Sequence, residues 1–332
     1  MATIMDVARL AGVSRTTVSR VLNNSPRVDK ETLRKVRSAI QELNYEPSDM
    51  ARNLRKQKTG LIAVLVPDIS NPFFSGLLEG MENVALEAGY KIILCITGGN
   101  PEREMQYIRM IENKQVDGII LTALRNPVDF ITPYLRYGPI VFANEYLDGD
   151  PIPSVAIDNT AAAQMVTQHL IDSGHRRIAF INGPEHIIIC RDRKLGYLKA
   201  LQDNGLAVDQ HIIMDGEYKM DTAASCAQQL VTRSSRPTAI LAANDTMAVG
   251  VVKALQCNGF QIPEDVAVAG FDNNPFSTVI EPNVTTVEQP IYTMGAETVH
   301  LLLTCFTTEI QKIEPRRRIL ETRLLVRRSS TR

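Results

Sequence analysis

From residue 60 onward, runs of Val, Ile, Leu and Ala alternate with amphipathic stretches of helix length, and this alternation restricts the fold more than any other feature. The runs LIAVLVPD, KIILCIT, VDGIILTA and PIVFANE, followed by SVAIDN, RIAFING, HIIMDGEY, AILAAND and VAVAGFD, have the length and β-branched content of strands. Helices are expected over 71–89, 101–115, 160–174, 190–205, 222–234 and 245–258. Continuously apolar strands separated by helices predict parallel sheets covered on both faces. About nine or ten such units exceed one doubly wound sheet, and the pattern restarts near residue 155. The expected body is therefore α/β, with two Rossmann-like subdomains.

The first 58 residues differ in charge. They hold twelve Lys and Arg against six Asp and Glu, a net +6, while the rest of the chain holds 24 basic and 31 acidic residues, a net −7. A basic segment joined to an acidic body suggests that the first meets a polyanion, although an ordinary solvated surface gives the same bias. The local pattern is that of three short helices. Thr3 and Asp6 form a cap pair ahead of a stripe of Ile4, Val7, Ala8 and Ala11. Gly12 ends that helix, Ser14 can cap the next, and Val18, Val21 and Leu22 form its apolar seam. Asp29 can cap a third, with Leu33, Val36, Ile40 and Leu43 facing inward.

The stretch AGVSRTTVSRVL thus has a narrow seam and an outer face expected to carry Arg15, Thr16, Thr17, Ser19 and Arg20. A helix presented to the major groove needs this division between seam and polar face. A small amphipathic helix of a larger bundle would share part of the pattern, but the glycine turn, the caps and the basic excess favour a helix-turn-helix unit. Arg15 and Thr16, at the helix start, are placed to read bases; Arg20 suits a guanine or a phosphate. Ser14, Thr17 and Ser19 suit phosphate contacts or capping. The segment PSDMARNLRKQKTG, residues 47–60, reads by composition as a charged tether.

In open α/β sheets, ligands bind beyond the carboxyl ends of the strands. Those ends carry Asp68 to Asn71 with Phe73 and Phe74, then Asn144 and Glu145, Asn244 and Asp245, and Asp272 with Asn273. Amides and carboxylates bond hydroxyls while rings stack on an apolar face, so the set suits a small polyhydroxylated molecule. Each such residue taken singly could instead cap the following helix, Asp245 above all.

No G-x-G-x-x-G, Walker, G-x-S-x-G or H-E-x-x-H motif occurs, and His169, His175, His186, His211 and His300 lack metal spacing. No catalytic residue, metal or cofactor is expected. Five scattered cysteines without a C-x-x-C pair argue against a disulfide framework and fit a reducing cytosol. The opening residues already carry a helical pattern, and no apolar run approaches a membrane span, so a cytoplasmic, nucleoid-associated protein is expected.

DVARLAGVSRTTVSRVLNNSPRV, and then ELNYEPSDMARNLRKQKTGLIAVLVPDISNPFF, resemble the start of a LacI/GalR-family transcription regulator, and the similarity continues along essentially the whole chain. The resemblance implies a helix-turn-helix headpiece over 1–46, a hinge helix or linker over 47–59, and an effector-binding and dimerisation domain over 60–332. That body would have the architecture of type I periplasmic binding proteins, its first subdomain at about 60–157 and 288–318 and its second at about 158–287 and 319–332.

In such proteins the positions of Arg15 and Thr16 choose the operator and Arg20 is a shared base contact. Leu54 would wedge into a minor-groove step beside Ala51, with Arg52 and Arg55 close to phosphates. Ser48 and Asp49 depart from the family's usual uncharged or asparagine positions, which argues against direct contacts from that turn. In the body, the family's ligand arginine falls at Arg193, its aromatic floor at Phe73, Phe74 and Tyr218, and its polar contacts at Asn144, Asn244, Asp272 and Gln289, with Asn71 from the strand-end set expected at the same effector site. Without the resemblance, Arg193 could be an exposed helix residue linked to Asp192 or Glu185.

VFANEYLDG and INGPEHIIICRDRKLGY are closest to the cytidine-repressor branch, and Ile187 to Ile189 could shelve a flat base. The implied protein is a repressor that binds a palindromic double-stranded operator as a homodimer under control of a nucleoside, a ribose-like or another sugar, or a purine base. A chain end without a heptad tail favours a dimer. A corepressor or phosphoprotein-controlled regulator, or a nucleoside- or sugar-processing enzyme, are the alternatives.

Overall fold

The computed structural model describes residues 2–22, 25, 27–45, 58–147, 149 and 152–331. The hinge residues Ala51, Arg52, Leu54 and Arg55 lie outside the described residues. The chain divides into two compact units, Met1–Gly60 and Leu61–Arg332.

The first unit holds α1 (Ile4–Ala11), α2 (Arg15–Leu22) and α3 (Lys30–Glu42). Thr3 and Asp6 form a reciprocal capping box on α1, and Gly12 follows it in the left-handed conformation at φ 66°. A residue with a Cβ would be strained there, and the tight turn into α2 depends on that conformation. Ser14 Oγ accepts from the Thr17 amide at 3.1 Å, and Asp29 Oδ1 from the Glu31 and Thr32 amides at 3.0 and 2.9 Å. Val7, Ala8, Ala11, Val18, Val21, Val36 and Ala39 are buried together, with Ile4, Leu22, Leu33, Ile40 and Leu43 packed around them.

The second unit contains two six-stranded sheets. The first is built from β1 (Leu61–Val66), β2 (Lys91–Ile96), β3 (Gly118–Leu121), β4 (Ile140–Ala143), β5 (Ser154–Ile157) and β11 (Arg317–Leu320), in the order β11-β5-β4-β3-β1-β2. The second uses β6 (Ile178–Asn182), β7 (Ile213–Asp215), β8 (Ala239–Ala242), β9 (Ala267–Asp272), β10 (Thr285–Glu288) and β12 (Arg323–Leu325), in the order β12-β10-β9-β8-β6-β7. Pairing is parallel except between β10 and β12. The central strands are buried along nearly their whole length, as both-face coverage requires.

The covering helices are α4 (Pro72–Glu87) and α5 (Pro101–Glu112) in the first subdomain and α6 (Asn159–Asp172), α7 (Ile188–Asp203), α8 (Met220–Val231), α9 (Asp245–Cys257) and the short α10 (Phe276–Val279) in the second. After β10 the chain returns to the first subdomain as α11 (Ile291–Cys305), which packs along α4. That packing is close: a Cβ at Gly80 would overlap the Tyr292 carbonyl, and one at Gly295 the Leu77 carbonyl. The switch expected at 318/319 falls inside β11, which pairs with Ser154–Ile157, so the chain crosses at residues 321–322 instead. Ladder pairing with β5 carries the strand past that point.

Candidate functional site

On α2, Ser14, Arg15, Thr16 and Arg20 are exposed and Thr17 is half-buried. Ser19 departs from its expected place. It is only 9% exposed, a side chain this small being readily covered. The exposed row therefore consists of two guanidiniums and hydroxyl groups on one short helix whose seam is fixed by Val18 and Val21. Ser14 is also occupied as a cap, its Oγ lying 2.9 Å from Thr17 Oγ1.

In the body, the carboxyl ends of the two sheets enclose a cavity of about 340 Å³. The nine residues expected to contact an effector all line it, Asn71, Phe73, Phe74 and Asn144 from the first subdomain and Arg193, Tyr218, Asn244, Asp272 and Gln289 from the second, whereas the strand-end residues Asp245 and Asn273 do not. Asn71 caps α4, accepting the Phe73 amide at 3.0 Å, and so presents Phe73 and Phe74 at the helix start. Their rings meet edge to face, centroids 5.3 Å apart. Asn144 and Glu145 follow β4, Asn244 follows β8, Asp272 ends β9 and Gln289 follows β10.

Arg193, on α7, is 2% exposed and excludes the surface-linked alternative: Glu185 pairs with Lys194, and Asp192 accepts from the Tyr146 hydroxyl. Its Nε donates to Asn159 Oδ1 at 2.9 Å and its Nη1 to the Ala243 carbonyl, while Nη1 lies 4.0 Å from Asp272 Oδ1. The guanidinium rests 3.8 Å from the centroid of the Phe271 ring. Tyr218 meets Cys190 Sγ through its hydroxyl at 3.1 Å.

Asp245 is not the cap that its position suggests. Asn244 Oδ1 caps α9 by accepting the Met247 amide at 2.8 Å, whereas Asp245 is buried beneath, accepting from Thr286 Oγ1 at 2.7 Å and the Asn274 amide at 2.8 Å. Burial, with the nearby Asp272 charge, raises the Asp245 carboxyl well above the usual range. Burial also pushes Asp272 up to about 6, against the opposing pull of Arg193 and the Gln289 amide. Asn144, Glu217, Tyr218 and Asp272, all lining the cavity, have positive φ of 72°, 53°, 56° and 107°. Backbone strain of this kind collects at ligand sites, where surrounding structure holds it.

Comparison with known proteins agrees along the chain. Residues 3–48 match the family described as "Bacterial regulatory proteins, lacI family", and residues 59–322 match "Periplasmic binding proteins and sugar binding domain of LacI family". This chain belongs to the LacI family. The NTD biosynthesis operon regulator NtdR of Bacillus subtilis is 38% identical, with 99% of this chain and 100% of the relative aligned. The transcriptional repressor CytR of Escherichia coli is 36% identical over 99% and 96% of the two chains. The crystal structure of the lac repressor dimer bound to operator and the anti-inducer ONPF superimposes with a TM-score of 0.88 at 26% identity, covering 100% of this chain and 99% of that one. Like its LacI-family relatives, the protein is a ligand-responsive, DNA-binding regulator of transcription.

Two buried acids also shape the cavity of this LacI-family body, Glu145 in its lining and Glu104 against the loop beside it. Glu145, 5% exposed, accepts the Leu124 amide at 2.6 Å; burial pushes its carboxyl up to about 7, opposed by that bond and Arg125 and reinforced by Glu104. Glu104, fully buried on α5, accepts the Arg125 and Asn126 amides at 3.0 Å each. The two carboxylates thus hold three successive amides of the loop after β3, which lines the cavity with Thr122, Ala123 and Arg125. Glu145 was visible as a strand-end acid. Glu104 carried no signal, because a glutamate on a charged helix face reads as solvated. Among the described residues no cluster of His, Cys, Asp or Glu is arranged to hold a metal, and no helix is long and apolar enough to cross a membrane.

Proposed function

We propose that the cavity is the effector site through which a nucleoside, ribose-like molecule or other small sugar controls how a dimer of this chain holds a palindromic operator. The observation that carries this is the convergence of aromatic and amide groups from two separate sheets on one cavity. Phe73, Phe74, Tyr218 and the Ile187–Ile189 shelf would stack on the ligand's apolar face; Asn71, Asn144, Asn244, Asp272, Gln289 and Arg193 would bond its hydroxyls. Binding across both subdomains favours one relative orientation of the two. That orientation would act on the hinge, where Leu54 beside Ala51 wedges a base step and Arg52 and Arg55 neutralise phosphates.

In the headpiece, Arg15 and Thr16 would select bases, Arg20 would contact a guanine, and Ser14 and Thr17 would position the helix on phosphates, with Ser19 supporting from the packed side. Two headpieces are needed for two half-sites, which makes the homodimer the active form, working in the cytoplasm on the nucleoid. The site binds and performs no bond-making step. Effector and operator affinities are then reciprocally coupled.

Arg193→Ala is the test of the effector site. Titration of a fluorescent operator should show wild-type affinity in the absence of effector and no effector response; a variant that still responds would remove Arg193 from the site. Leu54→Ala should weaken specific operator binding while sparing salt-sensitive association with random DNA, and equal loss on both would remove the wedge.

A further inference from the structure

We propose that the cavity selects an uncharged, hydroxyl-rich ligand and rejects the phosphate ester of the same molecule. This rests on the cavity being the effector site and specifies what that site accepts. The first support is hydrogen-bonding capacity. Asn144 Oδ1, Gln289 Oε1, Asn244 Nδ2 and Thr246 Oγ1 are buried on cavity-lining residues without a hydrogen-bond partner among the described residues. The orientation of two amides is fixed by what their other ends do. Asn244 must direct its oxygen at the Met247 amide, which leaves its NH₂ to donate. Gln289 must direct its NH₂ at Asp272 Oδ1, 2.6 Å away, which leaves its oxygen to accept. The cavity therefore offers both acceptors and donors. Hydroxyls, which both donate and accept, satisfy such a set; a phosphate dianion, which only accepts, leaves the Gln289 oxygen without a donor.

The second support is charge. Among the described residues the lining carries four carboxylates, Asp68, Glu145, Glu217 and Asp272, and two guanidiniums, Arg125 and Arg193. Arg193 is already committed to Asn159, the Ala243 carbonyl and Asp272, so its charge is answered inside the protein. Arg125, half-buried, donates its Nη1 to the Leu124 carbonyl at 3.3 Å and lies close enough to Glu145 to oppose the rise of its carboxyl, while Glu217 is paired with Lys219 at 2.8 Å. Deeper in, Glu145 has fully buried Glu104 beside it, the two carboxyls holding neighbouring amides of one loop. A dianionic phosphate would meet like charge with no unengaged buried cation to answer it.

The experiment is calorimetry and thermal denaturation of the full-length protein with ribose, cytidine and glucose, each against its phosphate monoester at the primary hydroxyl. At least one neutral member should bind, and its ester should bind at least about a hundredfold more weakly. An ester that binds as well as or better than its parent, or a panel in which no neutral member binds, overturns the inference. Two variants separate this from the effector-site reading. Gln289→Met should weaken the neutral ligand by at least about tenfold, and Glu145→Gln should narrow the preference against the ester by about tenfold at pH 8, where the Glu145 carboxyl is ionised. Binding that neither variant changes places the ligand elsewhere and removes the cavity as its site; binding that both change, with the ester preferred, keeps the site and overturns only its charge selectivity.

Discussion

The headpiece and the body deal with polar groups in opposite ways. On α2 the guanidiniums and most hydroxyls point outward from a seam of two buried valines, and the caps at Thr3, Ser14 and Asp29 satisfy the helix ends locally. In the body, the polar groups that matter stand at strand ends or, for Arg193, on α7, and are drawn inside: Asn144, Glu145, Arg193, Asn244, Asp272 and Gln289 are all buried. An outward polar face suits a partner too large to enclose, and an inward one suits a molecule small enough to be surrounded. On the proposed function, one chain would use exposure to meet the duplex and burial to discriminate a metabolite.

Substitutions that strike one unit should leave the other's property intact. The largest effect is expected from Asp272→Ala, which leaves Arg193 buried without its carboxylate and should destabilise the body by about 3–5 kcal/mol, read by denaturant unfolding. The headpiece should then still unfold as in the wild type; simultaneous loss of both transitions would show that the units are energetically one.

Glu145→Gln gives the next largest effect, through pH. The Glu145 carboxyl is raised from 4.5 to about 7 in the folded body, so folding takes up a proton between those values. Wild-type stability from this group is therefore full below about 4.5, declines as pH rises through the window, and is level above it. Glutamine does not titrate, so the variant should gain about 2–3 kcal/mol relative to wild type between pH 5 and pH 8. A difference that stays constant with pH would show that Glu145 is ionised throughout.

Arg20→Ala should cost about 1–3 kcal/mol in operator affinity and relax selectivity at one base pair, without moving the body's melting temperature. Asp29→Ala, which removes the acceptor for two amides of α3, should lower headpiece stability by about 1 kcal/mol, and circular dichroism of the thermal transition reads it. A cap loss that altered ligand affinity in the body would blur the contrast.

Legibility in the sequence follows the same division. The three helices and their caps were readable because capping is a local, short-range chemistry, and the central strands because both-face burial leaves uninterrupted Val and Ile runs. The strands Thr285–Glu288, Arg317–Leu320 and Arg323–Leu325 escaped notice: they are short, and two of them carry arginines that read as surface. Ser19 was assigned to the wrong face because periodicity does not register how readily a small side chain is covered. At the cavity, residue types at strand ends and the family resemblance pointed to nine positions that the fold brings together. The buried pair Glu104 and Glu145 on the loop amides depends on tertiary contact across 21 residues, which no local pattern encodes.

The division of labour itself is tested most directly by fluorescence anisotropy of one labelled promoter fragment, titrated with the intact protein and with residues 61–332 alone. The intact chain should bind with a steep salt dependence, and the isolated body should show no comparable affinity. Equal binding by the two would contradict the assignment of DNA recognition to the outward-facing headpiece.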